Sequence, residues 1–232
     1  LRQKDAELYA LQSQINPHFM YNTLQSISMA VEEGESKSVV QMVTILGRML
    51  RYSLSNKERL VPLSHEITHI EDFLKIQKFR FEERLSFDIQ VQPDREIYYT
   101  PKFILQPIVE NSIKYGLEKR KGLRIEILVQ ELILESGDHD LLFVIRDNGP
   151  GISKDRLEEI NLNLQADPMG ERESGFGMLN VQSRVKMMFG SNYELKIMSI
   201  EEKGTEITIQ IPTITKSKVT QFLGRGETDT YE

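Results

Sequence analysis

ENSIKYG at 110–116, DNGPG at 147–151 and GFG at 175–177 are three polar or glycine-rich strings that follow one another along a chain of 232 residues. Together they read as a nucleotide site. The side-chain oxygen of Asn111 is the hard ligand that Mg²⁺ prefers, since this ion keeps several waters and takes few protein ligands. The carboxylate of Asp147 accepts hydrogen bonds and cannot donate them, so at the floor of a pocket it selects a ring carrying an amino group, as adenine does. Glycines after that Asp and before a helix remove Cβ atoms and let backbone N–H groups approach a base or a phosphate chain. Gly149, Gly151, Gly175 and Gly177 meet that need, although any one of them alone also fits ordinary turn chemistry.

The ordered set resembles the ATP-binding boxes of the GHKL superfamily, which includes histidine kinases, gyrase and MutL. GTEITIQIP at 204–212 is similar to the closing glycine box and last strand of that group, which puts Thr205 among the residues the resemblance assigns to the nucleotide. The likeness covers roughly residues 100–213 and implies an α/β sandwich of the Bergerat type with ATP and Mg²⁺ as ligands. Around Asn111 two side chains stay open to two readings each. Lys114 and Tyr115 share its helical face by spacing. Lys114 either neutralises phosphate charge or is solvated, and Tyr115 either stacks near the nucleoside or packs half-buried. Arg184, on the helix after GFG, either faces the phosphates or pairs with surface carboxylates.

Upstream, QINPHFMYNTLQSI at 14–27 resembles the phosphoacceptor box of LytS/YesM-like bacterial sensor histidine kinases. The resemblance implies that His18 takes the γ-phosphoryl group. That chemistry needs a neutral imidazole with a pKa near neutrality, exposed where a mobile ATP domain can reach it, while the transfer itself is mostly alignment and charge neutralisation. Asn22 stands one helical turn beyond His18 and shares its face; by resemblance it positions water for dephosphorylation of the response regulator. Two departures bear on mechanism. Phe19 follows His18 where many histidine kinases have an acid, and Pro107 stands four residues before Asn111, where gyrase-like ATPases carry the Glu that activates water. Glu110 is either a substitute acid or a charged residue on the helix rim.

Composition narrows the choice of class. A net charge of −6 argues against a nucleic-acid surface, and 39% hydrophobic residues suffice for a core. The absence of Cys removes disulfides, thiolate nucleophiles and Cys-zinc sites. No stretch approaches the ~20 apolar residues that span a bilayer. Because Leu1 already lies inside a helical pattern, the chain is expected to be the cytoplasmic portion of a longer cell-membrane receptor, reaching the membrane only through an upstream sensor region.

Apolar residues at Leu8, Leu11, Ile15 and Phe19, and again at Leu24, Ile27 and Val31, predict a helix over 3–31. Pro17 either bends it or opens a new helix capped by Asn16. EEGESK at 32–37 reads as a turn, and Val40, Val43, Gly47, Leu50 and Leu54 give a second helix over 38–56 a coiled-coil seam. The Met and Leu stripes of that helix read as core. Helices apolar on more than one face call for a homodimer, its two hairpins forming a four-helix bundle. Ser64 is a candidate cap for a connector helix reaching about Arg84, with Glu66 as an early acid favourable to its dipole. His65 and His69 have metal-compatible i, i+4 spacing, but their charged neighbours favour a solvated face, and His139 reads as an exposed hairpin-turn residue. From Leu85 the pattern turns to strands at 85–91, 123–134 and 140–146, with a helix over 101–115. Between Gly151 and Gly175 a short helix and an acidic loop read as a mobile lid, and 214–232 read as a disordered tail.

The expected fold is thus α+β in two domains: phosphotransfer and connector helices over 1–82, then an ATP-binding domain over 83–213. The expected function is a histidine kinase core that autophosphorylates His18 and passes the phosphoryl group to an Asp of a response regulator receiver domain. Two rivals are a GHKL ATPase or serine kinase whose hairpin only dimerises, and a silent nucleotide-binding scaffold.

Overall fold

In the computed structural model, which describes residues 17–55, 59–92, 94, 96–119, 122–165 and 176–224, the chain divides into two units. The first comprises 1–58 and 68–82, the second 59–67 and 83–232. The division falls inside the third helix. It therefore differs from the single boundary expected at 82/83.

In the first unit, helix α1 (Pro17–Glu32) and helix α2 (Ser36–Leu54) form the predicted hairpin. The stretch before Pro17, and with it the choice between a bend and a new helix, lies outside the described residues. The last carbonyls of α1 are taken up in the turn, where Glu33 N–H bonds Met29 O at 3.0 Å and Glu35 N–H bonds Ala30 O at 2.9 Å. Met42, Ile45, Leu46 and Met49 of α2 are buried, at the three- and four-residue spacing of one helical face. Val40, Val43 and Leu54 of the expected coiled-coil seam lie on another face and are exposed in the single chain. Helix α2 thus carries two apolar stripes, one packed within the chain and one facing outward.

Helix α3 (Leu63–Phe81) contributes residues 68–81 to this unit. Phe73 meets Phe19 with ring centroids 5.2 Å apart, and His69 stacks on Tyr52 at 4.3 Å. Arg48 makes a bidentate pair with buried Asp72, Nε to Oδ2 at 2.9 Å and Nη2 to Oδ1 at 2.6 Å. The solvated face expected around His69 is therefore an interior face, because an aromatic ring lies against the imidazole. His65 is exposed, and among the described residues no group of three or more His, Asp or Glu side chains could hold a metal.

The second unit is built on two sheets. Strands β1 (Leu60–Pro62), β3 (Tyr98–Pro101) and β8 (Ile214–Thr215) form a small antiparallel sheet with β3 in the middle. The larger sheet has the order β2-β4-β5-β7-β6, from β2 (Leu85–Val91), β4 (Leu123–Ile133), β5 (His139–Asp147), β7 (Gly204–Pro212) and β6 (Leu195–Ile200). The β2 and β4 pair is parallel and the other pairs are antiparallel. Across it, Ile127, Ile145 and Ile207 stand in register, as do Val129, Phe143 and Ile209. Helices α4 (Gln106–Lys119), α5 (Lys154–Gln165) and α6 (Phe176–Phe189) pack on the sheet. Ile108, Val109 and Ile113 of α4 and Val181 and Val185 of α6 are buried, each stabilising by about 1.5–3 kcal/mol relative to exposure.

Three expectations shift here. Helix α4 begins at Gln106 rather than 101, because Phe103 sits at φ +56, which a right-handed helix excludes, and because Glu66 captures the backbone N–H groups just before the helix. The side chain of Glu66 is fully buried there. Residues 214–224 are ordered: Ile214 pairs with Tyr99 and is buried, and helix α7 (Lys216–Gly224) brings Phe222 edge-on to Phe189 at 5.6 Å. The rest of the expected tail, 225–232, lies outside the described residues. His139 opens β5 instead of occupying a turn, its Nδ1 lying 2.5 Å from Glu131 Oε1. No helix among the described residues is long and apolar enough to cross a membrane.

Candidate functional site

Asp147 ends β5, and three donors converge on its carboxylate. The Ser112 hydroxyl donates to Oδ2 at 2.7 Å, Gly149 N–H to Oδ1 at 2.9 Å, and the Thr205 backbone donates as well. Burial pushes this carboxyl above its ordinary value, and the hydrogen bonds from Ser112, Gly149 and Thr205 oppose the shift. The outcome is a rigid acceptor at a cavity floor. Ser112, not singled out in the sequence, sits one position after Asn111 on α4; its place in the ENSIKYG string was the available clue.

The loop after Asp147 can turn so tightly only because of its glycines. Gly151 has φ +68, and a Cβ there would stand 2.1 Å from the carbonyl oxygen of Ile200. Gly204, at φ +126, would place a Cβ 2.0 Å from the carbonyl oxygen of Asp147. The loop is fastened further by Ser199, whose hydroxyl accepts from Ile152 N–H at 2.9 Å and donates to Gly204 O at 3.0 Å. Gly177 lets α6 lie close to α4: a Cβ would come 3.1 Å from Pro107 Cβ and 3.7 Å from Asn111 Nδ2.

These elements enclose a cavity of about 350 Å³, within the range of small-ligand sites. Asn111, Tyr115, Asp147, Gly151 and Thr205 line it, beside apolar walls from Ile152, Leu164, Met178 and Ile207 that the sequence reading had not placed there. An acceptor floor, apolar walls and an amide oxygen suit a flat base with an amino edge and a chelated phosphate chain. Adenine nucleotide and Mg²⁺ therefore fit the residues present.

Other candidates stand apart from the cavity lining. Glu110 is half-buried and accepts from Gln106 Nε2 at 2.8 Å. Lys114 is exposed, its ammonium 5.1 Å from the Tyr115 ring. Arg184 donates to the carbonyls of Lys102 and Phe103 at 2.6 and 2.7 Å. Gly175 and the acidic loop before it lie outside the described residues. On α1, in the other unit, His18 is exposed and Asn22 Nδ2 lies 3.1 Å from its Nδ1 and 3.2 Å from its Nε2.

Residues 6–85 match the family described as histidine kinase, and residues 100–215 match the family described as histidine kinase-, DNA gyrase B-, and HSP90-like ATPase. The chain belongs to the sensor histidine kinases of the GHKL superfamily. It is 37% identical over 212 residues to the sensor histidine kinase YesM of Bacillus subtilis, covering 90% of this chain and 34% of that protein. It is 30% identical over 210 residues to the sensor protein LytS of Bacillus anthracis, with 90% and 34% covered. For the sensor protein kinase HptS of Staphylococcus aureus the identity is 30% over 213 residues, with 91% and 39% covered. The chain thus spans about a third of the length of the curated relatives it matches. GHKL histidine kinases use ATP, generally with Mg²⁺, and typically dimerise and signal to response regulators.

Proposed function

We propose that this GHKL histidine kinase chain is the kinase core of a two-component sensor, taking the γ-phosphoryl group of ATP onto His18 and passing it to an Asp of a response regulator. The observation that carries this reading is the triply hydrogen-bonded Asp147 at the floor of a glycine-shaped cavity, in a chain that also exposes a histidine with an amide at its ring. Asp147 holds the base by its amino edge, and Asn111 holds the cation. Mg²⁺, when bound, neutralises charge on the triphosphate. Tyr115, Gly149, Gly151, Gly177 and Thr205 shape the site, and Lys114 adds positive charge at its rim.

His18 supplies the ring nitrogen that accepts the phosphoryl group. Asn22 orients the imidazole by donating from its amide Nδ2, in place of the accepting carboxylate that many relatives carry at the position Phe19 fills here; the same amide positions water in the hydrolysis of the phosphorylated regulator. Pro107 cannot act as a base, so water is not activated from that position, and Glu110 is the remaining carboxylate beside Asn111. The exposed stripe of Leu24, Val31, Val40, Val43 and Leu54 is covered by a second copy, giving the four-helix bundle. A sensor region elsewhere in a longer receptor holds this core at the membrane.

Incubation with γ-³²P-ATP tests the reading. Wild type should acquire an acid-labile, base-stable label that His18→Gln abolishes and Asn111→Asp strongly reduces, with dimerisation intact in each. Label that survives His18→Gln would favour the rival in which the hairpin is only a scaffold.

A further inference from the structure

The turn Lys102–Leu105, between β3 and α4, is gripped by two charged side chains. Glu66, fully buried, accepts from the N–H groups of Phe103 (2.9 Å, to Oε2), Ile104 (2.9 Å, to Oε1) and Leu105 (3.2 Å, to Oε1). Arg184 of α6 donates Nη1 to Lys102 O at 2.6 Å and Nη2 to Phe103 O at 2.7 Å. All of these groups belong to the second unit. Five backbone groups of one turn are thereby fixed by α3's first turn on one side and by α6 on the other. The grip also holds Phe103 at φ +56, a conformation that costs a non-glycine residue about 1–2 kcal/mol.

What the grip controls follows from helix geometry. The N–H groups taken by Glu66 lie at the amino end of α4, where a carboxylate is favoured by the helix dipole as well. Asn111 stands six residues beyond Leu105, about 9 Å along a rigid helix. A shift of the turn moves Asn111 with it, because the helix transmits axial displacement. Gly177, at the start of α6, packs on Pro107 and Asn111, so Arg184 ties that same contact to the turn.

We propose that Glu66 is a positioning residue for metal-nucleotide binding: it fixes the axial position of α4, so the Asn111 side chain meets the nucleotide's divalent cation, and it links that site to the first turn of α3. The proposal rests on the reading of Asn111 as the cation ligand. Arg184 acts on the same turn from α6. A mere structural cap would lower stability and leave the folded protein's response to Mg²⁺ untouched.

The test uses the full chain, a fluorescent ATP analogue and two buffers, one with Mg²⁺ and one with EDTA. Glu66→Gln keeps an oxygen for Ile104 and Leu105 but sets an amide NH₂ against the Phe103 N–H. The affinity gain from Mg²⁺ should fall about tenfold, since losing a group that positions a metal ligand costs about ten- to a hundredfold in metal affinity, while the EDTA affinity changes less than about twofold. Arg184→Lys, which can serve one carbonyl instead of two, should show the same pattern at about threefold and covers the case in which Glu66→Gln does not fold. The proposal is overturned if the Mg²⁺ gain is unchanged in the folded variants, or if both affinities fall in parallel. A wild type with no Mg²⁺ gain would instead overturn the role of Asn111, and this proposal with it.

Discussion

Asp147→Asn should separate recognition of the base from stability of the fold. The carboxylate accepts from Ser112 and Gly149 at 2.7 and 2.9 Å. A carboxamide oxygen can keep the Gly149 bond, and the Ser112 hydroxyl can rotate to accept from the new NH₂, which leaves the Thr205 backbone donor as the one contact at stake. The ligand does not fare as well. A hydrogen bond to a charged acceptor contributes about 1.5–3 kcal/mol, and two donors facing each other leave at least one buried and unsatisfied, at about 1–3 kcal/mol. The sum, about 2.5 kcal/mol at its lower end, weakens adenine nucleotide binding by roughly sixtyfold or more. The stability difference should depend on pH. Because burial raises this carboxyl above 3.8, the folded chain keeps its proton to higher pH than the unfolded chain does. That contribution is present below the ordinary value and is lost as pH rises through the raised one, above which the buried charge is a cost. The variant's melting temperature relative to wild type should therefore rise from acid to neutral pH. Calorimetric titration with ATP, alongside thermal melts across that range, checks both halves. A variant that binds ATP within about threefold of wild type would refute the assignment of Asp147 to the base, and a relative melting temperature that fails to rise toward neutral pH would refute the account of its charge.

Gly151→Ala combines a left-handed backbone with a Cβ 2.1 Å from Ile200 O, so it should destabilise by about 3 kcal/mol and lower the melting temperature by roughly 6–12 °C; an unchanged melt would mean the loop relaxes freely. Glu131 is held below its ordinary 4.5 by hydrogen bonds from His139 and then Tyr98. Its contribution is present above that value and lost as pH falls through the lowered one. Glu131→Gln should accordingly melt lower than wild type at neutral pH, the difference vanishing in acid, and a pH-independent difference would exclude the electrostatic cause. The double variant Val40→Glu, Val43→Glu removes four buried valines from a dimer at about 1.5 kcal/mol each, weakening association by about four decades. Light scattering should report a monomer with wild-type helix content; a persistent dimer would place the interface elsewhere.

Local chemistry was legible in the sequence and long-range partnership was not. Asn111, Asp147 and Gly151 line one cavity, and each sits in a short string that reads as a unit. Ser112 was passed over although adjacent, because a serine in a helix has many uses. Glu66 read as an ordinary first-turn acid, since its partners lie 37–39 positions away and nothing local announces them. The two stripes of α2 have equal periodicity, so spacing alone could not say that Met42 and Met49 face inward while Val40 and Val43 face out. The reading of His69 fails for a related reason: charged sequence neighbours say little about a side chain that meets Tyr52, seventeen positions earlier on α2. Residues 214–224 looked too polar to fold alone, and they are ordered where Ile214 completes a sheet with β3.

The interleaving of the two units within α3 has a practical corollary for anyone who would cut or graft this protein. A free-standing nucleotide-binding fragment begun at residue 83 would leave behind Leu60–Pro62, stripping β3 of one neighbour and baring a strand edge prone to association. It would also discard the carboxylate that caps α4. A fragment begun at Arg59 keeps both, at the expense of carrying a helix whose second half was made for other company.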